Sequence, residues 1–220
     1  LTIRNFKIQD ENNNNLSIDG EIKSINTLPE FDISLMSTNF QLMNTSAQLK
    51  NGYHGRLIID SKILIKGNQK LPIITSNIRL KGNSDFTFIV PEKKLSANKG
   101  EDVVIFNETL HLHPLINKSS KQFEEQSTIK GYDISSTIEV EREAVLRIQI
   151  DPATNDSLIV KGETALSFSI DAGGKTTLTG TYNLYEGSYM ASLESLVRKK
   201  FFIQQGSTIT WSGDLTDAEL

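Results

Sequence analysis

Between Ile134 and Ile170 apolar and polar side chains alternate for so long that this stretch is committed to strands with one dry face. The even positions Ile134, Ser136, Ile138, Val140, Arg142, Ala144, Leu146, Ile148 and Ile150 oppose Asp133, Ser135, Thr137, Glu139, Glu141, Glu143, Val145, Arg147 and Gln149. After a turn at 151–156 the register resumes as Leu158, Val160, Leu166, Phe168 and Ile170 against Lys161, Glu163, Ser167 and Asp171. A period of two sends the two sets to opposite faces of a strand. Antiparallel sheets tolerate one wet face, whereas parallel sheets are covered on both and lose the alternation. The expected fold is therefore all-β and antiparallel, with helix confined to short turns and one weak stretch near 192–200.

The N-terminal half repeats the pattern at shorter range. Leu16, Ile18, Gly20 and Ile22 alternate, as do Phe31, Ile33 and Leu35. Leu57, Ile59, Ile63 and Ile65 share a face with Ser61, and Gly67-Asn68 supplies a turn. Pro72 opens a strand through Ile74, Ile78 and Leu80, and Gly82-Asn83-Ser84-Asp85 turns into Phe86 and Phe88. Asn12-Asn13-Asn14-Asn15 reads as a loop tip, because asparagine tolerates left-handed turns. The polar segment 107–130 reads as a loop or insertion separating an N-terminal sheet portion, 1–106, from a C-terminal one, 131–220. A chain opening on Leu1 and stopping at Asp217-Ala218-Glu219-Leu220 reads as a piece of a longer protein.

Composition excludes more than it identifies. At 220 residues, a hydrophobic fraction of 37% with 23% charged residues suits a trough-like body better than a sphere. The formal charge of -4 comes from interspersed signs, so no strong field favours nucleic acid or an anionic membrane surface. With no cysteine, three histidines, no Gly-x-Ser-x-Gly elbow, no phosphate loop and no dinucleotide fingerprint, the chain offers no catalytic residue and no cofactor site, and it reads as a non-enzyme. His111 and His113 would share a strand face but lack further ligands nearby, so no metal is expected. Glu139, Glu141 and Glu143 read as a solvent face that discourages edge pairing, which makes Glu141→Arg an expected near-silent change. Arg198-Lys199-Lys200 beside Phe201 and Phe202 reads as a solvated turn leading into a strand.

The run Gly180-Thr181-Tyr182-Asn183-Leu184-Tyr185-Glu186-Gly187-Ser188-Tyr189, followed by Phe202-Ile203-Gln204-Gln205-Gly206-Ser207-Thr208-Ile209-Thr210-Trp211-Ser212-Gly213-Asp214, resembles the C-terminal domain of the TamB family, the translocation and assembly module subunit. Asp217-Ala218-Glu219-Leu220 resembles the start of that family's last element, and 162–166 and 71–80 fit its looser repeats. The chain departs from the family at Ser76, where many members place Gly, and in the insertion 107–130.

The resemblance implies long curved strands forming a U-shaped trough, the β-taco, with an apolar inner face. It implies the periplasmic part of an inner-membrane-anchored envelope protein of a diderm bacterium, partnered by a TamA-like outer-membrane barrel. The implied function is movement of phospholipids between the two membranes, as in AsmA-like bridge proteins, and support of outer-membrane protein and autotransporter assembly. On that reading phospholipid acyl chains run along Leu57, Ile59, Ile63, Ile65, Phe86, Phe88, Ile138, Val140, Leu146, Ile148, Ile150, Leu158, Val160, Leu166, Phe168 and Ile170, each buried methylene recovering about 0.8 kcal/mol. Two alternatives remain open: a chaperone-like scaffold for client outer-membrane protein strands, and a structural module whose dry face is packed shut.

Overall fold

The computed structural model describes residues 1–25, 28–46, 52–89, 131–151, 154–193, 197–214 and 217–219. Among the described residues the chain is all-β. Its strands are β1 (Thr2–Gln9), β2 (Asn15–Ile25), β3 (Leu28–Thr45), β4 (Tyr53–Asn68), β5 (Leu71–Leu80), β6 (Asp85–Ile89), β7 (Asp133–Val140), β8 (Val145–Asp151), β9 (Asp156–Ile170), β10 (Thr176–Leu193), β11 (Val197–Ile203), β12 (Thr208–Gly213) and β13 (Ala218–Glu219). All thirteen belong to one sheet. The expected weak helix near 192–200 is corrected: Arg198, Lys199 and Lys200 lie within β11, whose pairing with β10 overrides local propensity. Positions 90–130, which include the expected insertion, His111 and His113, lie outside the described residues.

Tight hairpins build most of the sheet. Asp10 organises the β1–β2 connection, its Oδ1 accepting from the backbone N–H groups of Asn12 and Asn14 at 2.8 Å, while Asn13 takes φ 63°. This is the anticipated asparagine loop tip. The β4–β5 turn falls at 69–70, two residues beyond the Gly67 expectation, because Asn68 Oδ1 accepts from the N–H groups of Lys70 and Leu71 and fixes the reversal there.

Two interruptions decide the topology. β5 pairs with β4 at 59–68, and β6 pairs with the same edge of β4 at 53–56, since β3 occupies the other edge. β5 and β6 are thus one long strand broken by a turn at 81–84, so Gly82-Asn83 marks a detour and not the expected reversal. β7 and β8 are likewise one strand broken at 141–144, both antiparallel to β9. The two broken strands lie side by side and parallel, Ile73 opposite Asp133 through Leu80 opposite Val140, then Asp85 opposite Val145 through Ile89 opposite Gln149. Pairing among β4, β5, β7, β9, β8 and β6 therefore closes a circuit of six strands around the two turns, and the remaining strands extend the sheet on either side.

The expectation of a wholly antiparallel sheet is corrected by these two parallel pairings. Parallel neighbours need a long connection, and the segment between β6 and β7 supplies the length. The side chain of Ser84 repairs the broken ladder: Ile58 N–H donates to its Oγ at 3.0 Å, and that hydroxyl donates to Ile58 O at 3.2 Å. A third break of the same kind separates β11 from β12, where Leu184 N–H donates to Ser207 O at 2.8 Å and Gly206 N–H to Leu184 O at 3.1 Å.

Asparagine bulges keep the faces in phase. Asn5 and Asn39 adopt φ 49° and 50°, and each donates its backbone N–H at 2.7 Å to the carboxylate of Asp19 or Asp60 on the next strand. The extra residue carries parity from Ile3 to Phe6 and from Ser37 to Phe40, so Phe6 pairs with Ile18 and Phe40 with Ile59.

Candidate functional site: a continuous apolar face

Residues directly opposite one another in paired strands share a face, so register reads the face row by row. Ile65, Ile74, Ile134 and Ile170 form one row. The next is Leu35, Ile63, Ser76, Ser136, Phe168 and Leu178. Beside it run Leu16, Ser37, Ser61, Ile78, Ile138 and Leu166. Phe40, Ile59, Leu80, Val140, Thr164, Tyr182 and Ile209 follow. Beyond the interruptions Phe86 meets Leu146 and Val160, and Phe88 meets Ile148 and Leu158.

The structure thus brings Ile59, Ile63, Ile65, Phe86, Phe88, Ile138, Val140, Leu146, Ile148, Leu158, Val160, Leu166, Phe168 and Ile170 onto one face. Leu57, opposite Met43, packs against the core on the same side. Ile150 falls at the register shift between Gln149 and Asp151 and belongs to no row, and it is exposed at the hairpin end, as is Phe88 at the end of its own row. The sequence reading missed the face's extension into Tyr182, Leu184, Ile203, Ile209 and Trp211, all part of the core or packed against it. Their signal was present in the alternation Tyr182-x-Leu184 and Ile209-x-Trp211.

The face is densest beside the interruptions. Ile59, Leu80, Val140, Ala144, Val160, Tyr182 and Leu184 form a buried cluster in which Ala144 has no exposure. The Tyr182 ring crosses Gly162, where a Cβ would lie 2.8 Å from Tyr182 Cε2 and 2.2 Å from Asn183 O. Its hydroxyl has no partner among the described residues, and burial pushes its pKa up to about 12. Leu146 and Leu158 pack against this cluster, and away from it Ile63, Ile65, Ile138, Ile148, Leu166, Phe168 and Ile170 are only half-buried.

Two serine pairs interrupt the grease. Ser37 and Ser61 are hydrogen-bonded at 2.8 Å, and Ser76 Oγ donates to Ser136 Oγ at 2.7 Å. All four are buried and each hydroxyl satisfies its cross-strand partner, so they add little polarity to the surface. Ser76, a departure from the family pattern, thus has its complement in Ser136.

The opposite face is charged and paired. Arg79 reaches Glu139 at 2.6 Å, Lys81 reaches Glu141 at 2.5 Å and Asp60 at 3.3 Å, and Arg147 grips Asp85 through two bonds of 2.9 and 3.0 Å. The Lys81 hydrogen bond holds Glu141 below its ordinary pKa, and the Arg147 hydrogen bond does the same to Asp85. Tyr185 donates to Glu163, and Arg142 lies 3.8 Å over the Tyr185 ring. The reading of Glu139 and Glu141 as edge protection is corrected, because β7 is an interior strand and these carboxylates bind cations of its neighbour.

Among the described residues no group of three or more His, Cys, Asp or Glu side chains could hold a metal ion, and no helix is long and apolar enough to cross a membrane. No curated protein and no solved structure matches the chain. Residues 4–220 match the TamB C-terminal domain. The chain belongs to the TamB C-terminal domain family, bacterial envelope proteins of structural or transport type associated with a TamA partner in outer-membrane assembly.

Proposed function

We propose that the apolar face is the inner wall of an open, U-shaped trough that moves phospholipids between the inner and outer membranes. In this role the domain works in the periplasm beside a TamA-like barrel and supports outer-membrane protein and autotransporter assembly. One observation carries the reading: the face is continuous from β2 to β10, yet outside the cluster near the interruptions its large side chains stay half-buried. A core packed shut would cover most of them. Acyl chains laid over this surface recover transfer free energy methylene by methylene, and a wall whose serine pairs are already hydrogen-bonded to each other offers no deep trap to a sliding chain.

Phe168→Arg and Ile148→Asp in the full-length parent test the reading. A charge stranded on an apolar track costs several kcal/mol unless water follows it. The expected result is impaired phospholipid supply to the outer membrane and loss of co-purifying phospholipid by native mass spectrometry, with strand content unchanged. Variants that unfold like core mutants would instead support the closed structural module. A second reading, capture of a client strand, draws support from β1, which among the described residues pairs only with β2 and exposes Phe6 and Ile8.

A further inference from the structure

β11 reads Val197-Arg198-Lys199-Lys200-Phe201-Phe202-Ile203 and pairs only with β10, so its outer edge is open among the described residues. Alternation puts Arg198, Lys200 and Phe202 on one side and Lys199 and Phe201 on the other. Each side carries a cation over an aromatic ring: Lys199 Nζ lies 5.1 Å from the Phe201 centroid and Lys200 Nζ 5.1 Å from that of Phe202. Elsewhere on the sheet Lys66, Arg79, Lys81, Arg147 and Lys161 sit in ion pairs, whereas Arg4 and Lys7 on β1 and Lys62 on β4 are in none among the described residues. No carboxylate pairs with Arg198, Lys199 or Lys200 among the described residues.

Cations alone are a common defence of an open edge against wrong pairing. That defence gains nothing from exposed aromatics, yet Phe202 is 75% exposed and Phe201 and Val197 are also open. At the opposite edge β1 also exposes apolar residues, but no cation–aromatic contact occurs there among the described residues. The β11 edge is moreover continuous with the apolar face. Tyr53, Phe88, Ile148, Leu158, Tyr189 and Phe201 are successive cross-strand partners, and the last two rings stack at 6.3 Å.

We propose that β11 is a membrane-docking edge that seats this end of the sheet on a bilayer carrying anionic headgroups. The three cations meet lipid phosphates while Phe201 and Phe202 enter the interfacial layer, where aromatic rings and basic side chains are both favoured. Neither signal alone gives stable attachment, and the edge supplies the two together. The whole-chain charge of -4 does not oppose it, because screening at physiological salt confines the attraction to about 8 Å around β11. This docking does not require that the trough carry lipid.

The test is co-sedimentation of the 220-residue chain with phosphatidylethanolamine vesicles containing about a quarter phosphatidylglycerol, alongside phosphatidylcholine vesicles. The chain should bind the anionic vesicles and release them as salt rises. Each cation contributes about fivefold, so Lys199→Glu with Lys200→Glu should weaken binding by about 25-fold or more. Phe202→Ser should also weaken it with strand content intact by circular dichroism, and Lys62→Glu on the charged face should not. Failure of the wild-type chain to bind, equal binding to both vesicle types, or binding that ignores Phe202→Ser would each overturn the proposal. So would capture of an acidic extended peptide by β11 without vesicle binding, which would assign the edge to a protein. Co-purified phospholipid measured on the same variants should stay unchanged, which separates failure of docking from failure of the conduit.

Discussion

Tyr182 shows how one side chain on this face answers to constraints that alternation does not encode. Its ring covers Gly162, and its hydroxyl is buried without a partner among the described residues. The neutral phenol is favoured in the folded chain, so the pKa rises from 10.0 to about 12. The folded state then holds its proton at pH values where the unfolded chain has lost it. Stability is unaffected below pH 10 and falls as pH rises from there toward 12, by about 2–3 kcal/mol in all. Urea unfolding across that range should show the loss in the wild-type chain and a shallower one in Tyr182→Phe, which should also be as stable as wild type or slightly more so at neutral pH. That Tyr182 faces inward was legible from its alternation with Leu184. That it lies across a glycine was not, because the facing residue is set by register with a strand 20 positions earlier.

Interrupted strands are the feature the sequence concealed best. Alternation barely registers the break at 141–144, because Arg142 is a single charged residue on the apolar set and Ala144 rejoins it, and the tight turn there shows no Gly or Pro. At 81–84 the turn signal was visible, but turn chemistry reports allowed backbone angles and not whether the chain reverses. Here β4 runs straight past, and Ser84 completes the ladder to Ile58. The stacked turns also overturn the expectation that Glu141→Arg is silent. Glu141 accepts from Gly82 N–H at 2.8 Å and from Lys81 at 2.5 Å. Arginine there removes a charge-assisted bond and sets like charges together, an expected loss of roughly 1–2 kcal/mol read as a lower urea midpoint. The acid behaviour follows in sign. Stability contributed by Glu141 is fully present above its ordinary 4.5 and lost as pH falls through the lower folded value, so Glu141→Gln should flatten that part of the acid profile.

Across the whole molecule, one dry and one wet face were readable from periodicity, whereas strand order was not. The alternation argued for antiparallel neighbours, yet the parallel junction keeps a wet face because Arg79–Glu139, Lys81–Glu141 and Asp85–Arg147 span it. No local pattern announces which strand a long connection returns to. That junction joins residues 60 apart, the widest separation of any pairing among the described residues, while neighbouring hairpins close over far shorter spans. Loop closure must precede the contacts that reward it, so wide pairings form late. The chain should therefore assemble as two independent hairpin stacks, β1 to β6 and β7 to β13, that zip together along β5 and β7 at the end. Pulse-labelled hydrogen exchange during refolding should protect amides of the β2–β3 and β9–β10 pairs before those shared by β5 and β7; simultaneous protection would refute this order. Until the seam closes, each stack presents a bare edge of main-chain donors and acceptors beside a half-covered greasy face, and in that interval the nascent chain is most exposed to mispairing with its neighbours.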